Sequence, residues 1–472
     1  MSRQEQRENM IVMPSLTDSA RKALTGGCFT LGDWPDDRWW ESFGHSQLNA
    51  LVESALEHNP TLQAVQERIS YAAQEALIFR SKLFPFVSFD GEDEIGYLSK
   101  NGLIHTLNPS LPLHTNFVKL LLNLNYEIDI WGKNRNLYQA AIGKTRAEIA
   151  ESNQVQLMIT SAVAQTFFAL KVNLYRKYLY EQIVQVRQRM YALQFFLNES
   201  ALVSELVPSF SYEMLQEAKK ALCVVDEEVA LNRHLLNRLV GRGPDAELEF
   251  ESVSALDLVR IEIPESLSLD LLSRRPDVMA AIWRAQALAH EVGAAIADFY
   301  PSLNIKALLG LDSLEYSKVF QASSIAVSAT PAIHLPIFTA GAIRAKINAK
   351  KASFNQAIFD YNQTLLQSTQ EVADVLSVLE SVGARLECQS RIVGQARFRF
   401  DLTELNYYAG LDNMLEVYAI EDEWLEKSLV NADLMFSQYA AAISLIKALG
   451  GGYDEKNTPD LLDNDSSAGC CR

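Results

Sequence analysis

Histidine and cysteine are the side chains that most often supply proton transfer, nucleophiles or metal ligands, so their spacing is a first test for chemistry. The histidines are spread along the whole chain, at His45, His58, His105, His114, His234, His290 and His334. The cysteines are isolated except for one pair near the end, and no CxxC spacing occurs: Cys28, Cys223, Cys388, Cys470 and Cys471. Zinc sites need short, repeated Cys and His spacings. The sequence therefore predicts no catalytic residues, no metal site and no cofactor.

Two other clusters could bind a charged ligand. Arg274-Arg275-Pro276-Asp277 stands at a predicted helix start, where an aspartate caps the helix and complements its dipole. Gly450-Gly451-Gly452 follows a helical segment and is typical of a helix stop. P-loop, GxSxG, HExxH and GxGxxG motifs are absent from the sequence. We therefore expect a protein that is not an enzyme.

The overall charge excludes another class. Lysine and arginine number 42 and aspartate and glutamate 59, for a net charge of −17. Nucleic-acid binding needs a basic face that displaces counterions, so no nucleic-acid partner is expected. No uncharged stretch resembles the ~20 apolar residues of a membrane helix, so no transmembrane helix is predicted. Transmembrane β-strands give a weaker hydropathy signal, and the sequence is compatible with them.

Four segments alternate between apolar and polar residues with the period of a β-strand. The clearest is Val118–Ile130, in which even-numbered positions are apolar and most odd-numbered positions are Lys, Asn, Glu or Asp. An amphipathic sheet over a core is the commoner explanation of such a pattern. Length, four copies and an acidic second face favour strands with lipid on one side and water on the other. Four strands cannot close a membrane barrel, so several chains would have to share one.

The chain also repeats itself. Pro60 and Pro85 recur, at the same separation, as Pro276 and Pro301. Later pairs keep a constant offset, among them Arg135 with Arg344, Leu170 with Leu379 and Gly241 with Gly450. A constant offset means no insertions, as expected of long helices whose packing does not tolerate a change of register. The sequence therefore predicts two internal repeats.

The remaining segments are predicted to be helical. Segments 132–200 and 341–409 contain no proline, and each would form a helix on the order of 100 Å long. The second has a heptad seam of Ile358, Tyr361, Leu365, Ser368, Val372, Val375, Leu379, Val382 and Leu386. Four shorter helices are predicted at Ser46–Lys82, Ser204–Val240, Glu265–Asp298 and Asn413–Leu449. Two of these stacked end to end would match one long helix.

The predicted organisation runs as follows along the chain. An N-terminal segment, 1–38, is disordered or wrongly started, a linker covers 246–264, and a disordered tail covers 454–472. The first repeat, 39–245, has a helix, strands near 86–97 and 117–131, the long helix 132–200, a turn and the helix 204–241. The second repeat, 265–453, has a helix, strands near 302–311 and 324–338, the long helix 341–409, a turn and the helix 413–450. Trp34, Trp39, Trp40 and Phe43 are expected to pack the N-terminal segment onto the helices.

Between about Trp39 and Tyr453 the sequence resembles the outer-membrane factor (TolC-like) family, in its efflux lipoprotein branch that serves resistance-nodulation-division type tripartite pumps. The resemblance is carried by WWESFGHSQLNALVESALEHNP, YEIDIWGKNR, LSLDLLSRRPDV, FYPSLNI, LPIFTAGAIRA, QEVADVL and IKALGGGYD. It implies a mixed α and β fold in which a homotrimer shares a twelve-stranded transmembrane β-barrel, four strands per chain. A periplasmic α-helical coiled-coil barrel continues it.

The resemblance also implies a function and partners. Such proteins are exit ducts in the bacterial outer membrane that extend into the periplasm. They pass drugs, metabolites or metal ions delivered by an inner-membrane pump through a periplasmic adaptor (membrane fusion) protein. The expected partners are two further copies of the chain, the adaptor, the pump and outer-membrane lipid. Type I protein secretion is an alternative within the family, and a soluble coiled-coil scaffold is an alternative outside it.

Site residues are implied in the same way. The helix-turn-helix tips that meet the adaptor correspond to Ala201, Leu202, Val203, Ser204, Gly410, Leu411, Asp412 and Asn413. The periplasmic gate corresponds to Tyr407, Asp412, Leu415 and Glu416. For Leu415 and Glu416 the alternative is a seam residue and a solvated one. Thr25-Gly26-Gly27-Cys28 resembles a degenerate lipobox, so Cys28 is a candidate lipid anchor, although no apolar segment precedes it.

Overall fold

The computed structural model of the protein describes residues 10, 30–110, 113–247, 250, 262–264 and 274–454. The α-helices in these ranges are α1 (Ser46–His58), α2 (Pro60–Ser81), α3 (Leu103–Leu107), α4 (Lys133–Glu199), α5 (Leu206–Leu239), α6 (Pro276–Ala297), α7 (Ala342–Tyr408) and α8 (Met414–Ala448). The strands are β1 (Thr30–Gly32), β2 (Phe86–Tyr97), β3 (His114–Ile128), β4 (Glu262–Pro264), β5 (Ser302–Ser313) and β6 (Ile325–His334). Short 3-10 helices occur at Trp39–Phe43, Tyr316–Lys318 and Ala322–Ser324.

The four long strands form one antiparallel sheet in the order β2-β3-β5-β6. Phe86 pairs with Asn125 at one end of the first ladder, and Ser302 pairs with His334 in the last. Among the described residues, β2 and β6 have a partner strand on one side only, so they are the edges of the sheet. The short strands β1 and β4 form a separate parallel pair.

Three strands differ from their expected bounds: the third was expected near 302–311 and is Ser302–Ser313, and the other two differ by more. The second was expected near 117–131 and is His114–Ile128, because the Asp129 carboxylate accepts hydrogen bonds from the N–H groups of Asn134 and Arg135 and thereby starts α4. The fourth was expected to reach residue 338 and ends at His334. Pro336 follows, and it has no N–H for a ladder.

Two long helices set the length of the molecule. Helices α4 and α7 each contain 67 residues, which corresponds to about 100 Å. A left-handed glycine precedes each one, Gly132 at φ 73° and Gly341 at φ 85°. Of the predicted seam in α7, Val375 is half-buried, and the other eight positions are buried. The seam is therefore a packing surface, as its spacing indicates.

The shorter helices stack end to end beside the long ones. The buried Asn59 side chain accepts from the Thr61 N–H at the start of α2 and donates to the Leu239 carbonyl at the end of α5, at 2.7 Å. At the second junction, the Arg275 guanidinium at the start of α6 donates to the Ala448 carbonyl at the end of α8, at 3.0 Å. The predicted stacking is confirmed at both junctions.

The first short helix is two helices rather than one. Expected as Ser46–Lys82, it is interrupted at Asn59, whose φ of −70° and ψ of 119° are extended. Pro60 is the cause, since a proline disfavours the helical conformation of the residue before it and itself suits a first helical position. Of the expected helix Glu265–Asp298, the described part is Pro276–Ala297.

The aromatic cluster near the N-terminus is part of the core. Trp39 and Trp40 are buried, and their ring centroids lie 5.8 Å apart in an edge-to-face arrangement. Phe43 contacts Phe168 of α4 at 5.1 Å between centroids. The expected packing of Trp39, Trp40 and Phe43 onto the helices is thereby confirmed, and Trp34 lies 5.1 Å from the Arg274 guanidinium.

The expectation that no helix is apolar enough to cross a membrane is wrong by composition. Helices α4 and α8 each contain a window long and apolar enough to do so. About half of each window is buried inside the molecule, 56% in α4 and 44% in α8. Core helices of a bundle pass the same test, and packing against neighbouring helices accounts for these two windows.

Candidate functional site

The two helical hairpins, α4-α5 and α7-α8, end in turns built on the same backbone pattern. In the first turn, Ala201 has φ 54°, and the Leu202 N–H donates to the Leu197 carbonyl at 2.9 Å. In the second, Gly410 has φ 75°, and the Leu411 N–H donates to the Asn406 carbonyl, also at 2.9 Å. These bonds close a Schellman-type helix end around one left-handed residue. Alanine pays a conformational cost there that glycine does not.

Apolar side chains project from both turns. Leu202 is 70% exposed and Leu411 is 77% exposed. Phe196 and Leu206 beside the first turn, and Tyr408 beside the second, are exposed as well. Neither segment 190–218 nor segment 400–426 contains a lysine or an arginine, whereas both contain several carboxylates. The tips are therefore apolar at their ends and acidic around them.

The predicted gate residues all lie at the second tip. Tyr407 is partly exposed, and its ring contacts that of Tyr408 at 5.6 Å between centroids. Asp412 and Leu415 are half-buried, and Glu416 is exposed. The Glu416 N–H donates to the Asn413 side chain at 3.0 Å, so Asn413 caps α8. The described chain thus brings these residues together within one turn and the start of one helix.

Beyond the gate residues, farther from the turn, the carboxylates of Glu421 and Asp422 on α8 lie near that of Glu404 on α7. Burial raises the pKa of Glu421, and the nearby Glu404 and Asp422 carboxylates raise it further, whereas Arg189 and Arg397 act in the opposite direction. The Arg189 guanidinium lies 3.7 Å from Glu421 and above the Tyr418 ring. This part of the hairpin therefore carries a carboxylate that takes up a proton more readily than an isolated one.

One buried arginine links the two hairpins. The Arg187 guanidinium of α4 pairs with both carboxylate oxygens of Asp422 on α8, at 2.9 and 3.0 Å. It also donates to Glu426 on α8 at 2.6 Å and to the Met214 carbonyl on α5 at 3.2 Å. Burial lowers the pKa of Arg187, but its hydrogen bond to Asp422 and the two carboxylate charges outweigh burial, and the net pKa is raised. Nothing in the sequence pattern singled out this residue.

Arg275 is a second residue whose role the sequence reasoning missed. Its guanidinium pairs with Asp277 and with Glu371 of α7, at 2.6 and 2.9 Å, in addition to its bond to the Ala448 carbonyl. Asp277 does act at the helix start, where it accepts from the Val278 N–H. The local cluster was visible in the sequence, but its partners on α7 and α8 are distant along the chain.

The sheet presents an apolar face that no described part of the chain covers. Phe89, Ile95, Leu122, Val327 and Ile333 are all largely exposed. An exposed apolar surface of this kind marks an interaction with lipid or with another protein. Asp93, which interrupts this face, accepts a hydrogen bond from the Tyr316 hydroxyl at 2.7 Å.

The polar face of the sheet carries charges that pair across strands. Lys119 lies 3.3 Å from Glu92, and the Asn123 amide donates to Asp90 at 2.6 Å. In the described ranges, no group of three or more His, Cys, Asp and Glu side chains could hold a metal ion. Cys28, the candidate lipid anchor, lies outside the described residues, as do most of segments 1–38 and 246–264 and nearly all of the tail 454–472.

The chain is similar to known proteins along most of its length. Residues 51–194 and 267–451 match the family described as outer membrane efflux protein. The multidrug resistance outer membrane protein MdtP of Shigella flexneri is 30% identical over 429 residues, covering 89% of this chain and 87% of that protein. MdtQ of Escherichia coli O6:H1, another multidrug resistance outer membrane protein, is 28% identical and covers 89% of both chains.

Solved structures agree on the fold. The CmeC outer membrane channel of Campylobacter jejuni superposes with a TM-score of 0.83 at 22% identity, covering 91% of this chain and 90% of that one. The outer membrane protein VceC of Vibrio cholerae has a TM-score of 0.79 at 28% identity, covering 89% of this chain and 100% of that one. The expected fold class, mixed α and β with a sheet of four long strands per chain, is confirmed.

Proposed function

The chain belongs to the outer membrane efflux protein family, and on that premise we propose that it is the outer-membrane exit duct of a tripartite system that expels small molecules. It lies in the bacterial outer membrane and extends into the periplasm. The observation that carries the proposal is the four-stranded sheet with an exposed apolar face, joined directly to helices of 67 residues. The apolar face of the sheet would contact membrane lipid, and the long helices would extend across the periplasm.

The proposed duct is a homotrimer, because one chain cannot close a barrel with the four long strands of its sheet. The β2 and β6 edges carry backbone groups that cannot stay unpaired in a membrane. Three copies would join these edges into a closed barrel of twelve strands, and the two internal repeats would place their helices around one tunnel. Mass measurement in detergent tests the proposal, with a trimer as the expected result. A stable, folded monomer would contradict it.

The remaining partners follow from the same function. An inner-membrane pump supplies the energy, a periplasmic adaptor joins pump and duct, and the duct performs no reaction of its own. The exposed turns Ala201-Leu202-Val203-Ser204 and Gly410-Leu411-Asp412-Asn413 are the proposed adaptor contacts. Replacing Gly410 by tryptophan is expected to weaken adaptor crosslinking and efflux while trimer and abundance stay intact, because a bulky side chain at the exposed turn obstructs docking. Unchanged crosslinking would place the contact elsewhere.

A permanently open duct would leak, so we place a gate at Tyr407, Asp412, Leu415 and Glu416. In a trimer, three copies of Leu415 would meet as an apolar plug, and three copies of Glu416 would repel one another unless protonated or bound to cations. Leu415→Ala with Glu416→Ala is expected to raise single-channel conductance in a planar bilayer severalfold. Equal conductance with the trimer intact would favour the alternative, in which Leu415 is a seam residue and Glu416 is solvated.

The relatives favour small-molecule efflux over protein secretion, because MdtP and MdtQ carry names that refer to multidrug resistance. Membership of the outer membrane efflux protein family also argues against the alternative of a soluble coiled-coil scaffold. The acidic tips and strand faces would make the tunnel negative and favour cationic substrates. Deleting the gene is expected to sensitise cells to cationic drugs. Loss of protein secretion without drug sensitivity would favour the type I secretion alternative.

A further inference from the structure

Two arginines on one face of α4 connect the first hairpin to the second. Arg187 and Arg176 are about three helical turns apart, so their side chains leave the helix in the same direction. Arg176 donates to Glu228 of α5 at 2.7 Å and lies 3.3 Å from Asp433 of α8. Each arginine therefore spans α5 and α8, one nearer the tips and one farther from them.

The two connections differ in how firmly they hold α8. The Arg187 side chain is 10% exposed and Asp422 is 9% exposed, and two parallel hydrogen bonds join them. Such a bidentate pair fixes orientation as well as distance. The side chains that Arg176 contacts on α5 and α8 are 38% and 61% exposed, and each makes one contact with it. Water therefore competes with the contacts of Arg176 much more than with those of Arg187.

Of the two connections, the pair of Arg187 with Asp422 is the one nearer the proposed gate. Leu415, Glu416 and Asp422 lie within about two turns of one another on α8, which is one continuous helix. Any rotation of α8 that turned Leu415 and Glu416 would therefore also turn Asp422. The Arg187 guanidinium also holds the Met214 carbonyl of α5, so the orientation of α8 is set relative to the first hairpin.

We propose that Arg187 is a positioning residue for the gate: by pairing with Asp422 it fixes the rotation of α8, and so the resting aperture that Leu415 and Glu416 form. The inference rests on the proposed duct and gate. Removing the guanidinium leaves the buried Asp422 carboxylate without its partner. That carboxylate then moves toward water, and the helix that carries it turns.

Single-channel conductance of the full-length trimer in a planar bilayer tests this assignment. Arg187→Met is expected to raise resting conductance severalfold. Arg187→Met combined with Asp422→Leu is expected to return it close to the parent value, because an apolar pair of similar volume packs without an unpaired charge. Arg176→Met is the matched control, since it removes an arginine from the same face of α4, and it is expected to leave conductance unchanged.

Several outcomes would overturn the assignment. These are parent conductance in intact Arg187→Met trimers, equal increases in Arg187→Met and Arg176→Met, and a double variant as conductive as the single one. If Arg187→Met does not assemble, Arg187→Lys keeps the charge and loses the two parallel bonds. It is then expected to give an intermediate conductance, and parent conductance would contradict the proposal. A parent trimer without any channel activity would instead contradict the duct itself.

Discussion

The two junctions where short helices stack end to end solve one geometric problem with different side chains. At the first, the neutral amide of Asn59 reaches the Leu239 carbonyl. At the second, the charged Arg275 reaches the Ala448 carbonyl and also pairs with Asp277 and Glu371. In both, a side chain at the start of one short helix donates to a carbonyl at the end of the short helix stacked on it. The last carbonyls of a helix have no partner within that helix.

The comparison separates what the backbone requires from what the side chains add. Each junction contains a left-handed glycine, Gly241 at φ 79° and Gly450 at φ 94°, that approaches the backbone just before a short helix, at His58 before α2 and at Arg274 before α6. The cap residue, in contrast, differs in charge and in the number of helices that it contacts. Close backbone approach therefore fixes the glycine, and the cap is free to vary as long as it donates to the exposed carbonyl.

The largest effect is expected from a methyl group at the junction glycines. A Cβ at Gly450 would lie 1.9 Å from the Arg274 carbonyl oxygen, and one at Gly241 would lie 2.5 Å from the His58 carbonyl oxygen. Steric overlap adds to the left-handed strain, so we expect Gly450→Ala to cost about 4 kcal/mol and Gly241→Ala about 2–3 kcal/mol. Thermal unfolding of the purified trimer in detergent measures both. The reverse order would mean that the first junction is the tighter one.

The next largest effect is expected at the cap residues, where loss of Arg275 should destabilise the protein more than loss of Asn59. Arg275→Met leaves the carboxylates of Asp277 and Glu371 and the Ala448 carbonyl without their shared partner, at a cost of about 3 kcal/mol. Asn59→Ala removes a helix cap and one buried hydrogen bond, at a cost of about 1–2 kcal/mol. Chemical denaturation in detergent compares the two variants. Equal losses would show that the charges at the second junction contribute nothing beyond the hydrogen bond.

The two tips offer a smaller test in which the backbone is the same and the residue differs. No atom lies within 4 Å of a Cβ built at Gly410, so Gly410→Ala adds only left-handed strain, about 1 kcal/mol. Ala201→Gly removes the same strain from the first tip. Hydrogen exchange of the tip peptides is expected to become about fivefold faster in the first variant and slower in the second. Opposite signs are the diagnostic result, and a shared sign would contradict the strain argument.

Features with a local period were predictable from the sequence, and features made by distant partners were not. Alternation at Val118–Ile130 predicted a strand because the two faces of the sheet meet different surroundings. Its end was misplaced because the Asp129 side chain begins the next helix. Arg275 was visible as part of a charged cluster, whereas its partner Glu371 is distant in sequence. Arg187 gave no local signal at all, since only packing brings Asp422 to it.

The smallest effect concerns two glutamates at corresponding positions of the short helices, Glu75 on α2 and Glu291 on α6. Glu75 is exposed and accepts one hydrogen bond, from the Tyr71 hydroxyl at 3.2 Å. Glu291 lies between Lys144 of α4 at 2.5 Å and Lys350 of α7 at 2.6 Å. Burial raises the pKa of Glu291, but the hydrogen bonds and charges of both lysines outweigh it, and the net pKa lies below its usual value of 4.5.

A carboxylate whose pKa is lower in the folded state stabilises the fold above its unfolded pKa, and this stabilisation is lost as the pH falls through the folded value. Glu291→Gln should therefore be less stable than the parent near neutral pH, by about 0.5–1 kcal/mol because both lysines are partly exposed. The difference should vanish below the folded pKa, where the parent carboxyl is also neutral. Glu75→Gln is the matched control, because Glu75 is exposed and its hydrogen bond is with Tyr71, and it should unfold at about the parent temperature near neutral pH. Thermal unfolding between pH 7 and pH 3 measures all three proteins, and a Glu291→Gln difference independent of pH would show that shape, not charge, holds α6 between the long helices.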